Sequence, residues 1–295
     1  MPPRLSADRK VSVRAKTLAV GGVVAGARKL TKQGDGTLEL KAQNTYSAGT
    51  VVEGGTLKLS EQGNAGTSFV TINNDGVATL DNTSANANRI GDAAAVTLTG
   101  TLNILGNASA STSETAGVLT QGGGAAGITV APGSGQSALL TFASLAARNV
   151  GFSALYRGTG LGSTLAPDVA NIKFTTAPSV TAYGAFAASD GVGTLATTNA
   201  AVLRGVLADD SGAGIGKGFA TYDGANNGIR LLDATTEQTT NYFAGTANIR
   251  LDLAADAAIT GAAANTLELK NTSGSLKTVT NTGTSLIPHN GLLFS

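Results

Sequence analysis

Residues 38–60 read Leu38-Glu39-Leu40-Lys41-Ala42-Gln43-Asn44-Thr45-Tyr46-Ser47-Ala48-Gly49-Thr50-Val51-Val52-Glu53-Gly54-Gly55-Thr56-Leu57-Lys58-Leu59-Ser60. Leu38 and Leu40 alternate with Glu39 and Lys41, and Leu57 and Leu59 alternate with Thr56, Lys58 and Ser60. A period of two places apolar side chains on one face of a strand and polar ones on the other. A middle strand at 49–53 carries Thr50, Val51 and Val52. Gly54-Gly55 supplies the corner, because glycine enters the left-handed region without a Cβ clash. The last strand reads like the first after about 20 residues, the spacing that stacked β-coils produce.

Outward from this stretch the same material recurs. Thr-Leu pairs open strands at Thr37, Thr56, Thr79 and Thr101. Further strands are expected at 69–73, 76–80, 96–99, 117–120, 127–130, 171–175, 201–206, 228–232, 247–253, 264–269 and 285–294. Asn73-Asn74-Asp75-Gly76 is a turn by residue type. Residues 139–145 fit a strand or a brief helix, and 121–127 reads as a loose corner rather than a domain boundary. Residues 190–197 and 209–218 are expected to protrude as loops. No amphipathic helix of twelve or more residues is in view, so the βαβ pattern of nucleotide-binding enzymes is missing. About a dozen coils of ~22 residues would make a rod on the order of 60 Å long.

Composition agrees with a narrow core. Of 295 residues 40 are glycine, aromatic residues are 4%, and cysteine and tryptophan are absent, while 42% are hydrophobic. Such a chain has apolar surface to bury but few large side chains to fill a wide interior. Layers of Leu, Val, Ile and Ala in a solenoid suit it better than a globule. Zero cysteines exclude disulfides, zinc–thiolate sites and cysteine nucleophiles.

The net charge of +1 is unevenly spread. Residues 1–32 carry Arg4, Arg9, Lys10, Arg14, Lys16, Arg28, Lys29 and Lys32 against Asp8 alone. That basic segment is read as a solvated tail rather than a contact for nucleic acid or a membrane. Residues 1–16 are expected to be a basic disordered head and 17–295 a single β-helical region, with 22–60 its best-preserved repeat. The apolar run at 17–24 followed by Ala25-Gly26-Ala27 has the outline of an export signal, but it is short and glycine-rich. No run approaches the ~18 apolar residues of a membrane helix. The C-terminus ends in apolar strand-like sequence, which is read as a cut from a longer polypeptide.

The stretch Gly22 to Leu40, with Leu30-Thr31-Lys32 and Gly34-Asp35-Gly36-Thr37-Leu38, continues into Asn44-Thr45-Tyr46-Ser47-Ala48-Gly49-Thr50 and Gly54-Gly55-Thr56-Leu57. It closely resembles the autotransporter-associated β-strand repeat. The Phe219-Ala220-Thr221-Tyr222-Asp223-Gly224 and Asn227-Gly228-Ile229-Arg230 stretches are similar, more weakly, to passenger regions of large exported repeat proteins. The resemblance implies an all-β, right-handed parallel β-helix (β-solenoid), exported to the bacterial surface by type V secretion. It also makes 22–32 the start of a repeat, which counts against cleavage after Ala27. No C-terminal translocator barrel is recognisable, so the expectation is a passenger fragment of a longer β-helix.

Candidate chemistry is sparse. The sole histidine, His289, lacks Cys or acidic neighbours in sequence, and a surface role is expected. Asp209, Asp210, Asp223, Asp233 and the pair Asp252/Asp256 are the carboxylates a glycosidase would need at ~5–9 Å separation. Aspartates in glycine-rich loops are ordinarily turn residues, and they are read so here. The segment 212–217 is one residue short of a phosphate-binding loop and lacks Ser or Thr after Lys217. Asn82, Asn107 and Asn271 begin glycosylation triplets of the kind expected by chance in so Asn- and Thr-rich a chain. No catalytic, cofactor-binding or metal residue is assigned. The expected function is a non-enzymatic secreted or cell-surface adhesive passenger with host-surface or polysaccharide ligands. The alternative is a carbohydrate-active β-helix that binds or depolymerises polysaccharide.

Overall fold

The computed structural model describes residues 5–146, 152–178, 195–224, 227–240, 247–259, 263–282 and 287–294. Every regular element among them is a β-strand, and no α-helix is present. The longest sheet takes one strand from each successive coil: β2 (Thr17–Val20), β5 (Thr37–Leu40), β8 (Gly55–Leu59), β10 (Gly76–Asp81), β12 (Thr101–Leu105), β15 (Gly124–Ala131), β17 (Phe152–Gly158) and β19 (Val206–Asp209). All these pairings are parallel. A second parallel sheet runs beside it through β1 (Arg9–Ser12), β4 (Leu30–Gln33), β7 (Thr50–Val52), β9 (Val70–Ile72), β11 (Val96–Leu98) and β14 (Leu119–Gln121). The third side is β3 (Ala25–Gly26) on β6 (Thr45–Tyr46) in the first coils. Later it is β13 (Thr112–Ala116), β16 (Ala138–Phe142) and β18 (Ala170–Phe174). The chain is a β-solenoid.

Register makes the core. In the long sheet Leu38, Leu57, Ala78, Leu102, Ile128 and Tyr156 stack as one column, and Leu40, Leu59, Leu80, Ile104 and Val130 as another. All eleven are buried. The outward column between them reads Glu39, Lys58, Thr79, Asn103, Thr129, Arg157. Each large aliphatic side chain buried this way is worth roughly 1.5–3 kcal/mol. The period-two pattern therefore becomes a wall with one dry face and one wet face.

Several expectations shift. Residues 9–12, placed in a disordered head, form β1 and pair with Leu30–Gln33. The strand expected at 76–80 is β10, so Thr79 lies inside it rather than opening a strand, and it is Val77 that partners Thr56 on one side and Thr101 on the other. Residues 201–205 are not a strand, and the strand there begins at Val206. Residues 138–142 are a strand, which settles the strand-or-helix alternative. Only Gly122 and Gly123 separate β14 from β15.

The parallel stack ends at β19. β20 (Gly218–Asp223) and β21 (Gly228–Leu231) add to it in antiparallel fashion. Beyond them β22 (Asn248–Asp252), β24 (Ala263–Lys270) and β26 (Ile287–Phe294) form a second short parallel stack, flanked by β23 (Ala257–Ile259) on β25 (Val279–Asn281). Asn248 and Asn265 tie this stack to the first by donating side-chain amide N–H groups to the carbonyl of Ala200.

Candidate functional site

The motif residues of the first repeats do structural work. Lys32 is fully buried, and its Nζ donates to the carbonyls of Gln33, Gly34 and Gly54 at 2.9, 2.6 and 3.0 Å. It closes the corner between two sheets. Asn44 links three coils: Val24 N–H donates to its Oδ1, while its own N–H and amide donate to Oδ1 and the carbonyl of Asn64. Tyr46 turns inward, fully buried, with Oη 2.7 Å from Thr50 Oγ1. Thr50 Oγ1 in turn donates to the carbonyl of Ala65.

The fourth coil has a longer third side. It leaves β10 at Asp81 and rejoins the second sheet at Val96, whereas the coil before it runs from Leu59 to Val70. Arg89 organises the longer path from inside. Its guanidinium donates to Asn82 Oδ1 and to the carbonyls of Gly63, Asp81 and Ala85. Glu114, on the third side of the next coil, accepts the N–H groups of Arg89 and Ile90 at 3.2 and 2.7 Å. Burial pushes its carboxyl up to about 7, against the pull of those N–H groups and of Arg89. Around this corner Gln43, Asn64, Thr67, Phe69, Asn88 and Asp92 line a depression of about 630 Å³.

The candidate acids are held locally. Asp209 is buried and accepts Ser211 N–H at 2.9 Å and Gly216 N–H at 3.1 Å. Burial pushes its carboxyl up, but these bonds and the Ser211 hydroxyl outweigh it and hold the group below the usual range. Asp210 pairs with Lys217, so Lys217 of the rejected phosphate-loop segment is joined to a carboxylate. Asp233 accepts the hydroxyl and N–H of Thr235 at 2.6 and 2.8 Å and the Thr236 N–H at 2.9 Å, which draws it down to about 2. Asp252 accepts Arg250 Nε–H at 3.0 Å, and Asp256 accepts Thr278 N–H at 2.9 Å. Asp223 closes the β20–β21 hairpin opposite Gly228.

Two of the set do meet: Asp210 and Asp233 share a depression of about 490 Å³ with Glu237. Glu237 is committed to a two-bond contact with Arg230, both at 2.7 Å, and also takes the N–H groups of Ala196 and Asp233. Burial raises its carboxyl and these partners lower it further, leaving it below the usual range. A general acid needs the opposite shift. No cluster of three metal-ligating side chains occurs among the described residues. His289 lies in β26, with its side chain outside the described set. Of the glycosylation triplets, Asn82 and Asn107 are buried and Asn271 is exposed. The sequence reading missed the 630 Å³ depression, and its one available signal was Phe69, an apolar ring in a chain with few.

Residues 30–59 match the passenger-associated transport repeat, the segment in which Lys32, Asn44, Tyr46 and Thr50 knit successive coils. The chain carries an autotransporter passenger repeat. Over 71 residues it is also 39% identical to the adhesin BmaC autotransporter of Brucella suis biovar 1 (strain 1330), a match that covers 24% of this chain and 2% of that protein. No solved structure matches significantly. The repeat and this similarity assign the passenger to the secreted or cell-surface class. Among the described residues no helix is long and apolar enough to cross a membrane.

Proposed function

We propose that this passenger segment is non-enzymatic and adhesive: a stiff β-solenoid that displays binding surface on its corners and outward columns. The observation that carries the reading is the similarity to an adhesin autotransporter, beside a passenger-associated transport repeat in which Lys32, Asn44, Tyr46 and Thr50 serve to stack coils. Continuous parallel ladders resist bending, because each coil is bonded to the next along its whole width. That both stacks belong to one β-helical region, which takes in β1 as well as the residues from 17 onward, is part of the same proposal. The depolymerising alternative has less behind it, since Asp233 and Glu237 are both drawn below the usual carboxylate range.

The test is retention of chain-coated beads on eukaryotic cell monolayers, against albumin-coated beads, alongside a reducing-end assay on neutral and acidic polysaccharides. Higher retention without new reducing ends is expected. Equal retention, or release of reducing ends, overturns the reading.

A further inference from the structure

We propose that the depression at the corner of the third and fourth coils binds a neutral oligosaccharide. This rests on the adhesive reading and names the ligand class of one part of that surface. The volume of about 630 Å³ lies within the range of small-ligand sites, roughly 300–1,000 Å³.

Phe69 supplies the platform. It is 39% exposed, whereas Tyr46, Phe142, Tyr156, Phe174 and Phe219 are buried. Backbone bonds place Gly49, Phe69 and Ala95 at equivalent corners of successive coils: Leu30 N–H donates to Gly49, Thr50 N–H to Phe69 and Val70 N–H to Ala95. The ring therefore lies between two small residues. A Cβ at Gly49 would come within 2.5 Å of it, so the glycine is what lets the ring seat against the neighbouring coil. A seated, half-wet aromatic ring flanked by small residues suits the C–H face of a pyranose.

The polar groups around it are oriented in advance. Asn64 Oδ1 accepts the N–H groups of Asn44 and Gly66, which fixes its amide. Asn88 Nδ2 donates to Asp92 Oδ1 at 2.7 Å, leaving the Asn88 carbonyl oxygen and the second Asp92 oxygen as acceptors. Gln43 and Thr67 line the same wall. Amides, a hydroxyl and a carboxylate together match the mixed donors and acceptors of sugar hydroxyls. Asp92 is the sole charged side chain in the lining, so sulfated or sialylated chains meet repulsion there. The lining comes from three successive coils, about 10 Å at ~4.8 Å per strand, the length of roughly two pyranose rings.

The experiment is calorimetric titration of the full chain with neutral tetrasaccharides of glucose, mannose and N-acetylglucosamine, and with a sulfated tetrasaccharide. At least one neutral ligand is expected to bind and the sulfated one not. Phe69→Ala should weaken binding about tenfold or more, and Asn88→Ala severalfold, with urea midpoints near that of the parent chain. Asn88 is exposed, so its variant keeps the test valid if Phe69→Ala unfolds. Absence of binding to every neutral ligand, preference for the sulfated one, or unchanged binding in both variants overturns the site. Bead adhesion without binding to any neutral tetrasaccharide leaves the adhesive reading standing and removes this site. Oligosaccharide binding without bead adhesion does the reverse.

Discussion

Lys32 shows how one buried charge can be structural rather than catalytic. Burial pushes its amine below the usual lysine range, with Asp35 pulling the other way. Replacing a buried ion with an apolar group is often harmless when its partners go too. Here the three carbonyls would stay behind. Lys32→Met is expected to cost about 1–3 kcal/mol, read as a lowered urea midpoint; an unchanged midpoint contradicts the capping role. Glu114 makes a pH prediction. Its native pKa of about 7 stands above the ~4.3 of an unfolded glutamate. The native state thus holds the proton more tightly, so this group's stabilisation is full below about pH 4.3 and is lost as pH rises through 7. Glu114→Gln should flatten that part of the stability–pH curve between pH 4 and 8. A curve that keeps its slope in the variant assigns the dependence elsewhere.

Elements were legible wherever local pattern and stacking say the same thing. β5, β7 and β8 fall within a residue or so of where alternation and Gly54-Gly55 put them. The strand at 76–80 was legible, but Thr79 also read as a strand opener, because a shift of two residues keeps every side chain on its own face and period two alone cannot fix the register. Leu80 stacks on Leu59, which sets Val77 rather than Thr79 opposite Thr56. Residues 201–205 misled for another reason. Val202 and Leu203 are buried, but the backbone turns at Arg204-Gly205, where Gly205 has φ +68°. The depression beside Phe69 was illegible because its walls meet only once Arg89 has folded the long corner inward. Corners give their own test. Gly55 has φ +60°, and a Cβ there would lie 2.2 Å from the Gly34 carbonyl oxygen, whereas Gly123 has open space. Gly55→Ala should destabilise by more than about 1 kcal/mol and Gly123→Ala by close to none, compared by thermal melts; equal effects would contradict the stacking at that corner.

At the scale of the whole molecule the two stacks are unequal. The long one has a continuous core from Val13 to Ile229, while the second is built on Ile249, Leu253, Ala264, Leu267 and Leu269. In a solenoid each coil is stabilised by its neighbours, so a short stack lacks the support of a long one. Amide exchange in β22 and β24 is expected to outpace that in β8 and β10; equal protection would mean one cooperative unit. The central claim, parallel coils in fixed register, is tested most directly by distance measurement between spin labels. The chain has no cysteine, so labels can be placed at will. With one label at Thr17→Cys and the second at Thr101→Cys, Gly127→Cys or Leu155→Cys, members of one outward column, the separation should rise through about 19, 24 and 29 Å. Distances that fail to grow with coil number would contradict the solenoid.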